Sequence, residues 1–410
     1  GRVKTLHPAI HAPILARDHS KDMSELTANG YAPIELVVCN LYPFQQTISQ
    51  PSVTLQQAVE QIDIGGVTLI RAAAKNFERV IVVVDPADYD TVQAALVEDG
   101  QLSVQARRSL AIKAFAHTRD YDTAIHGYLL GDNLLSEATT TLGDHFALGL
   151  TRTQSLRYGE NPHQEASLYA TRSDMGPLGG TLLQGKPLSY NNLLDASAAY
   201  QAVSAFGTDD QAAVVILKHM NPTSIAVADP IAEAMPHALA RDPVSAFGGI
   251  VAVNRELDAE FVRALGGLFV EVLIAPSFTD EACQLLAEGR KNCRLIAVDN
   301  IHIQNSLEFR SIQGGVLVQQ LDIGDPETTE WQVVTRRRPT PEEVEALKFA
   351  WRAVQHVRSN AIVLAGQTAT LGIGGGLPSR VDAVKLAVDK AGEHAQGAVL
   401  ASDAFFPFAE

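Results

Sequence analysis

The sequence predicts an α/β protein in two parts. A parallel sheet with covering helices runs to about residue 130, and a strand-richer region of mixed α/β layers follows. Three observations carry this. Apolar runs such as Val80-Ile81-Val82-Val83-Val84 and Ala212 to Leu217 have the length and branched side chains of buried strands. Helical patterns alternate with such runs, as crossover-connected parallel strands require. Residues 131–154 lack a strong period and read as a connector between domains at 1–130 and 155–410.

In the first part, Ile34 to Cys39 and Val80 to Val84 read as strands buried on both faces. Leu55 to Ile62 and Val67 to Ala74 between them read as helical, and Val104 to Tyr128 as a long helix. The acidic, Thr-rich stretch Glu137-Ala138-Thr139-Thr140-Thr141 marks the boundary. The second part has candidate strands at Ala212 to Leu217, Gly249 to Val253, Leu268 to Ala275, Gly315 to Gln319 and Ala361 to Ala365. Leu193 to Phe206 and Pro341 to Arg358 read as helices. In the latter, Thr340 caps, Pro341 takes the first helical position and Glu343 completes a capping box. Its core face would carry Val344, Leu347, Trp351, Val354 and Val357.

Composition narrows the function. The apolar fraction is 46% and the charged fraction 19%, as in globular chains. Lys plus Arg minus Asp plus Glu is 32 − 47 = −15, which argues against a uniformly basic nucleic-acid surface. A local cluster of cations still suits a small anionic substrate. Cys39, Cys283 and Cys293 make no disulfide framework and fit a reducing compartment. No apolar run reaches the ~18 residues of a membrane span. The start at Gly1 and the end just after Ala404-Phe405-Phe406-Pro407-Phe408 predict a segment of a longer chain, with those aromatics packed against something.

Several motifs fail on inspection. Gly180-Thr181-Leu182-Leu183-Gln184-Gly185-Lys186 approaches a P-loop, but Pro187 stands where Ser or Thr must hold magnesium. Gly372-Ile373-Gly374-Gly375-Gly376-Leu377 lacks the third glycine of a dinucleotide fingerprint. His7 and His11 have helical metal-ligand spacing with Pro8 between them, and read as surface imidazoles in a turn. Cys283 and Cys293 lack a Cys-x-x-Cys pair for zinc.

Ionisable residues recur beside turn residues at the ends of apolar runs, where open α/β sheets place ligands. Arg2-Val3-Lys4-Thr5-Leu6-His7 suits a phosphate or a solvated strand. Cys39-Asn40-Leu41-Tyr42-Pro43-Phe44 ends a strand. Ile62-Asp63-Ile64-Gly65-Gly66-Val67-Thr68 opens a helix that carries Arg71 and ends near Lys75-Asn76. Its amides favour an anion, and Asp63 alternatively caps it. Leu156-Arg157-Tyr158-Gly159-Glu160-Asn161-Pro162-His163-Gln164 is dense in polar and turn residues. Tyr190-Asn191-Asn192-Leu193-Leu194-Asp195 opens a helix, by capping alone or beside a ligand. Ile216-Leu217-Lys218-His219-Met220-Asn221-Pro222 ends a buried strand. Desolvation and repulsion within its Lys-His pair would favour a neutral imidazole able to act as a base; a satisfied structural histidine is the competing reading. Arg241 to Gly249, Ser359-Asn360, Ser379-Arg380 and Ser402 to Phe408 complete the set.

In this order, these segments resemble the bifunctional purine-synthesis enzymes that join aminoimidazole carboxamide ribonucleotide (AICAR) transformylase to inosine monophosphate (IMP) cyclohydrolase. The cyclohydrolase motifs are Arg2 to Pro8, Asn40 to Phe44, Asp63 to Gly66 and Ala73 to Asn76. The transformylase motifs are Arg157 to Gly159 with Asn161 to Gln164, Lys218-His219, Ser245 to Gly249 and Ser402 to Phe408. The resemblance implies a methylglyoxal-synthase-like parallel-sheet domain over 1–130 and a transformylase region of two cytidine-deaminase-like lobes over 155–410. It implies formyl transfer from 10-formyltetrahydrofolate, a co-substrate, to AICAR, then cyclisation of formyl-AICAR to IMP with loss of water. It also implies a cytoplasmic homodimer with transformylase sites near the subunit interface, no required metal, and neither nucleic acid nor membrane as partner.

The resemblance also carries residue roles. Lys4, Tyr42, Asp63 and Lys75 form the ring-closing site, with Arg2 near the phosphate. Asp63 positions or deprotonates the amide, and the lysines serve the oxyanion and departing water. His219 is the base for formyl transfer, with Lys218 keeping the imidazole neutral and Asn360 orienting the formyl group or folate. Arg157 contacts phosphate, and Tyr158, Asn192 and Asp242 the nucleotide. Arg380 lies beside the folate or nucleotide pocket, and Phe405 walls it.

The family begins before Gly1 with a Ser- and Lys-containing phosphate loop and continues past Phe408, so both domains are expected to be cut short and ring closure to be poor. His11-Ala12-Pro13 replaces His-Gly-Gly, and Thr223-Ser224 replaces Cys-Gly. Gly374 to Arg380 lacks a glutamine, and Ala409-Glu410 replaces Arg-Asp. The alternatives are a truncated, non-catalytic nucleotide-binding or dimerisation fragment of the same enzyme, and a generic α/β sugar-phosphate enzyme.

Overall fold

Two apolar runs of the first half pair as parallel strands, β1 (Leu36–Val38) and β2 (Ile81–Val83), with Leu36 opposite Ile81 and Val38 opposite Val83. The computed structural model describes residues 4–130, 142, 144–171, 174–207, 211–299, 307–326 and 328–406. The chain divides into the units Gly1–Leu150 and Thr151–Glu410.

In the first unit, α1 (Pro8–Leu15) and α2 (Ser20–Ala28) precede β1. The crossover to β2 runs through α3 (Phe44–Ile48), α4 (Leu55–Glu60) and α5 (Gly65–Lys75). After β2 come α6 (Tyr89–Glu98) and the long α7 (Val104–Leu129), capped by Ser103. Ile14, Val37, Ile70, Val82 and Ala114 share one core. Arg79 fastens it by donating to the carbonyls of Pro13, Ile14, Ala16 and Ile34.

Two expectations change here. β1 is not buried on both faces: Leu36 is 42% and Val38 50% exposed, and only Val37 is covered. Alternate strand residues face opposite ways, and among the described residues nothing covers the Leu36–Val38 face. His7 is an exposed imidazole in a bend, as expected, but His11 is not. Pro8 suits a first helical position, so α1 starts there. His7 caps it by accepting the Ala9 N–H, and His11 lies inside it with Nε2 buried.

The second unit opens with the hairpin β3 (Thr151–Ser155) and β4 (Ser167–Ala170), so Gln154 belongs to a strand rather than to a connector. Glu137 to Thr141 lie outside the described residues. The main sheet uses β5 (Thr181–Gln184), β6 (Ala213–Lys218), β7 (Asn221–Val227), β8 (Gly249–Val253), β9 (Val270–Ala275) and β10 (Arg294–Ala297) in the order β5-β10-β9-β8-β6-β7. β8, β9 and β10 are parallel, and β6 is antiparallel to both neighbours. The P-loop-like segment is β5, an edge strand.

Both faces of this sheet are covered. Ala213, Val215 and Leu217 of β6 pack towards α8 (Tyr190–Ser204) and α13 (Pro341–Val354). Val214 and Ile216 pack towards α9 (Ile231–Leu239), α11 (Ala259–Ala264) and α12 (Asp280–Gly289). The single turn α10 (Pro243–Ala246) precedes β8. A hairpin, β11 (Leu307–Ile312) with β12 (Gly315–Gln320), stands apart from a smaller sheet of β13 (Ile362–Ala365), β14 (Thr370–Gly374) and β15 (Val399–Ser402), ordered β14-β13-β15. Helix α14 (Arg380–Ala391) lies on that sheet so closely that a Cβ at Gly374 would come within 2.0 Å of the Ala383 carbonyl oxygen.

The α13 capping box of Thr340 and Glu343 forms as expected, and Val354 and Val357 are buried as expected, but the rest of the core face is different. Ala346, Phe349, Ala350, Ala353 and Val354 are buried. Val344 and Leu347 are half-buried, and Trp351 is turned outward against Trp331. Alanines let the helix approach the sheet closely, so the bulky residues go to the rim. At the far end, Phe405 is 80% and Phe406 49% exposed, so these terminal aromatics do not pack as expected. The chain has left the sheet after Ser402.

Candidate active site

Strands β6 and β7 pair Lys218 with Asn221, which leaves His219 and Met220 as a two-residue loop. Their φ values are 54° and 59°. Both central residues of a type I′ hairpin turn need positive φ, which costs a non-glycine residue about 1–3 kcal/mol. Asp195 of α8 stabilises the turn. Its Oδ2 accepts the His219 N–H at 3.1 Å and its Oδ1 the Met220 N–H at 2.7 Å. Lys218 donates from Nζ to the Phe247 carbonyl at 2.7 Å. Lys218 is half-buried but His219 is exposed, so the burial expected of the imidazole is absent. The turn lies at the end of the strand, where the sheet no longer covers it.

This turn borders a cavity of about 310 Å³, lined among others by Lys218, His219, Asn221, Ser245, Gly375 and Lys390. Asn221 Oδ1 accepts the Arg358 N–H at 2.9 Å. A Cβ at Gly375 would meet Val357 Cγ1 at 2.2 Å, so the glycine loop passes where no side chain fits. Asn360 Nδ2 donates to the carbonyls of Leu377 (3.0 Å) and Pro378 (3.1 Å), and its Oδ1 accepts from Arg380 at 2.7 Å. Arg380 also donates to Ser402 Oγ at 2.9 Å and pairs with Asp403. Burial pushes the Asp403 carboxyl up, but hydrogen bonds from Ser359, Arg380 and the Ala361 N–H hold it below the usual carboxylate range.

Arg157 and Tyr158 lie against the start of α8. The Arg157 guanidinium carbon is 5.0 Å from the centre of the Tyr158 ring, and the Tyr158 carbonyl accepts the Tyr190 N–H at 3.3 Å. Asn192 completes a capping box with Ser189, one helical turn before Asp195. Helix α8 therefore connects the Arg157-Tyr158 segment to the His219 turn.

The first unit is arranged differently. Asp63 Oδ1 accepts the Gly66 N–H at 2.7 Å, which caps the start of α5, and the Asp63 N–H donates to the Tyr121 hydroxyl at 2.8 Å. Lys75 is the last residue of α5, about 15 Å further along the helix axis. It lines a cavity of about 560 Å³ with His11, Thr68, Arg71 and Phe115. Asp63 and Tyr42 do not line that cavity, and Tyr42 is 56% exposed. Arg2 lies outside the described residues.

A family model described as "AICARFT/IMPCHase bienzyme" matches residues 73–390. The chain belongs to that bienzyme family. A protein of Desulfitobacterium hafniense (strain DSM 10664 / DCB-2) named "Bifunctional purine biosynthesis protein PurH" is 49% identical over 100% of this chain and 79% of its own length. Proteins of the same name from Chloroflexus aurantiacus and Bacillus subtilis (strain 168) are 50% and 46% identical, over 78% of their lengths.

Within this bienzyme chain, the fold brings Lys218, His219, Asp242, Asn360 and Arg380 to one connected region. It places Asp63 and Lys75 at opposite ends of a helix. Phe405 lines no described cavity. Asp195 and Lys390 escaped the sequence reading as site residues. Asp195 stood in a quoted segment where it read as part of a helix start, and Lys390 carried no local signal. Cys39, Cys283 and Cys293 are free, and burial pushes the Cys293 thiol up to about 12.

Proposed function

We propose that the chain carries out both steps joined in its family: formyl transfer from 10-formyltetrahydrofolate to the amine of AICAR, then closure of formyl-AICAR to IMP with loss of water. The observation that carries this is 46–50% identity, over essentially the whole chain, to proteins named as bifunctional purine biosynthesis enzymes.

For formyl transfer, the AICAR amine is a weak nucleophile because its lone pair is delocalised into the ring. His219 takes its proton as the nitrogen attacks the formyl carbon, and the folate nitrogen departs with a proton. Lys218 offsets the negative charge that develops on the formyl oxygen. The Asp195 clamp on the backbone of the turn supports this reading, because it holds the imidazole at the open edge of the cavity. Asn360 and Arg380 brace the glycine loop opposite, and Arg157 takes the phosphate. The formyl group arrives activated, so we assign no metal to the step. For ring closure, the carboxamide nitrogen attacks the formyl carbon. Asp63 positions or accepts the amide proton, Lys4 and Lys75 serve the oxyanion and leaving water, Tyr42 orients, and Arg2 meets the phosphate.

The same reading assigns a methylglyoxal-synthase-like domain to 1–130 and cytidine-deaminase-like lobes to 155–410, in a cytoplasmic homodimer acting on small molecules. Among the described residues, no helix is long and apolar enough to cross a membrane. The test is direct. The purified chain receives AICAR and 10-formyltetrahydrofolate, and formyl-AICAR and IMP are followed by absorbance or isotope. Both are expected; absence of formyl-AICAR overturns the reading. Sedimentation at micromolar concentration tests the dimer.

A further inference from the structure

Lys390, near the end of α14, lines the cavity of Lys218 and His219 but has no part in the chemistry above. Its Nζ lies 2.8 Å from Asp242 Oδ2, and the Asp242 side chain is only 13% exposed. Asp242 Oδ1 accepts the Ser245 N–H at 2.9 Å and so starts the turn of α10. That turn leads straight to Phe247, whose carbonyl holds Lys218 Nζ. Little slack remains beyond it. Gly248 has φ +74° and donates its N–H to the Phe269 carbonyl at 2.8 Å, and a Cβ at Gly249 would sit 2.9 Å from the Leu217 carbonyl oxygen. The path from Lys390 through Asp242, Ser245 and Phe247 thus joins the helix on the smaller sheet to the end of β6 in the larger one.

We propose that Lys390 is a positioning residue for formyl transfer: through Asp242 and the α10 turn it sets the Phe247 carbonyl, and with it the place of the Lys218 ammonium beside His219. This rests on the reading that the Lys218-His219 turn carries formyl transfer. A lysine stem has many rotamers, so a fixed acceptor decides where its charge sits. A direct grip of Lys390 on an anionic substrate fits less well, because Asp242 already neutralises it within the cavity wall. Burial pushes the Asp242 carboxyl up, but Lys390 and Ser245 hold it below the usual carboxylate range, so Asp242 is a carboxylate at neutral pH. Asp242 accordingly serves the cavity from behind.

The experiment measures kcat and KM for formyl transfer with the full chain, AICAR and 10-formyltetrahydrofolate. Lys390→Met and Asp242→Asn should each lower kcat about 10- to 100-fold while the KM for AICAR stays within about 3-fold. The double variant should lose no more than the worse single, because both act through one path. Lys390→Arg should keep most of the rate. Unchanged kcat in Lys390→Met, additive losses, or a loss confined to KM would each overturn the proposal, the last by making Lys390 a substrate contact. Equal loss in Lys390→Arg and Lys390→Met, together with a lost melting transition, would reduce the pair to a structural one. If Lys390→Met does not fold, Asp242→Asn and Lys390→Arg still decide. His219→Ala in the same assay tests the underlying reading separately: full formyl transfer without the imidazole defeats that reading whatever Lys390 does.

Discussion

The two candidate sites are assembled in different ways. In the second unit, the β6–β7 turn, α10, α14 and the glycine loop before α14 meet at one cavity, and the side chains of Lys218, Asn221 and Lys390 there are each held by a partner from another element. In the first unit, two of the candidates share one helix without sharing a cavity, Asp63 capping the start of α5 and Lys75 ending it. The sheets differ in the same sense. β6 is covered on both faces, whereas β1 keeps Leu36 and Val38 exposed. Convergent geometry lets chemistry be argued from contacts. Asp63 therefore has a structural role, the cap, that is separable from any role in catalysis.

The largest expected effect tests the convergent site. His219→Ala should lower formyl transfer about 100- to 10,000-fold and leave ring closure of supplied formyl-AICAR nearly intact. Loss of both activities would break the separation of the two sites. Next comes Asp63. Asn keeps the capping acceptor, whereas Ala removes it and costs the first unit about 1 kcal/mol. If Asp63 acts in ring closure, both variants should slow that step at least about 100-fold, with formyl transfer unchanged. Full ring closure in Asp63→Asn would leave Asp63 as a cap alone.

Stability against pH gives the third test. Burial lowers the His356 imidazole to about 4, and its Nε2 has no hydrogen-bond partner. Between pH 6.5 and about 4 the unfolded chain binds the proton and the folded one does not, so stability falls as pH falls through that window. The loss amounts to up to about 3 kcal/mol. His356→Leu should flatten this acid slope in denaturant titrations of the second unit. His117 is lowered in the same direction by burial, so His117→Leu should flatten a slope of the same sign in the first. The smallest effects are local. Thr340→Ala and Ser103→Ala should each cost about 1 kcal/mol, one in each unit, read by urea unfolding.

Much of the fold was legible. The apolar runs located β2, β6, β8 and β13, and the capping box located the start of α13 to the residue, although the helix ends at Val354 rather than Arg358. Periodicity placed Val354 and Val357 correctly but misplaced the rest of the buried face of α13 because it favours large residues, whereas the close contact selects Ala346, Ala350 and Ala353. It likewise could not tell β1 from β6, since two similar apolar runs differ only in what lies over them.

The sequence by itself determined the local elements, their caps and, through the order of its motifs, the family. These depend on residues within a few positions of one another, where helix and strand periods and backbone capping act. Only the tertiary structure decided that Asp195 brackets a left-handed turn 24 residues away, that Asn221 meets the Arg358 backbone across 137 residues, and that Lys390 stands behind Asp242. Such pairs depend on which strands become neighbours in the sheets, and burying both faces of the large sheet brings them together.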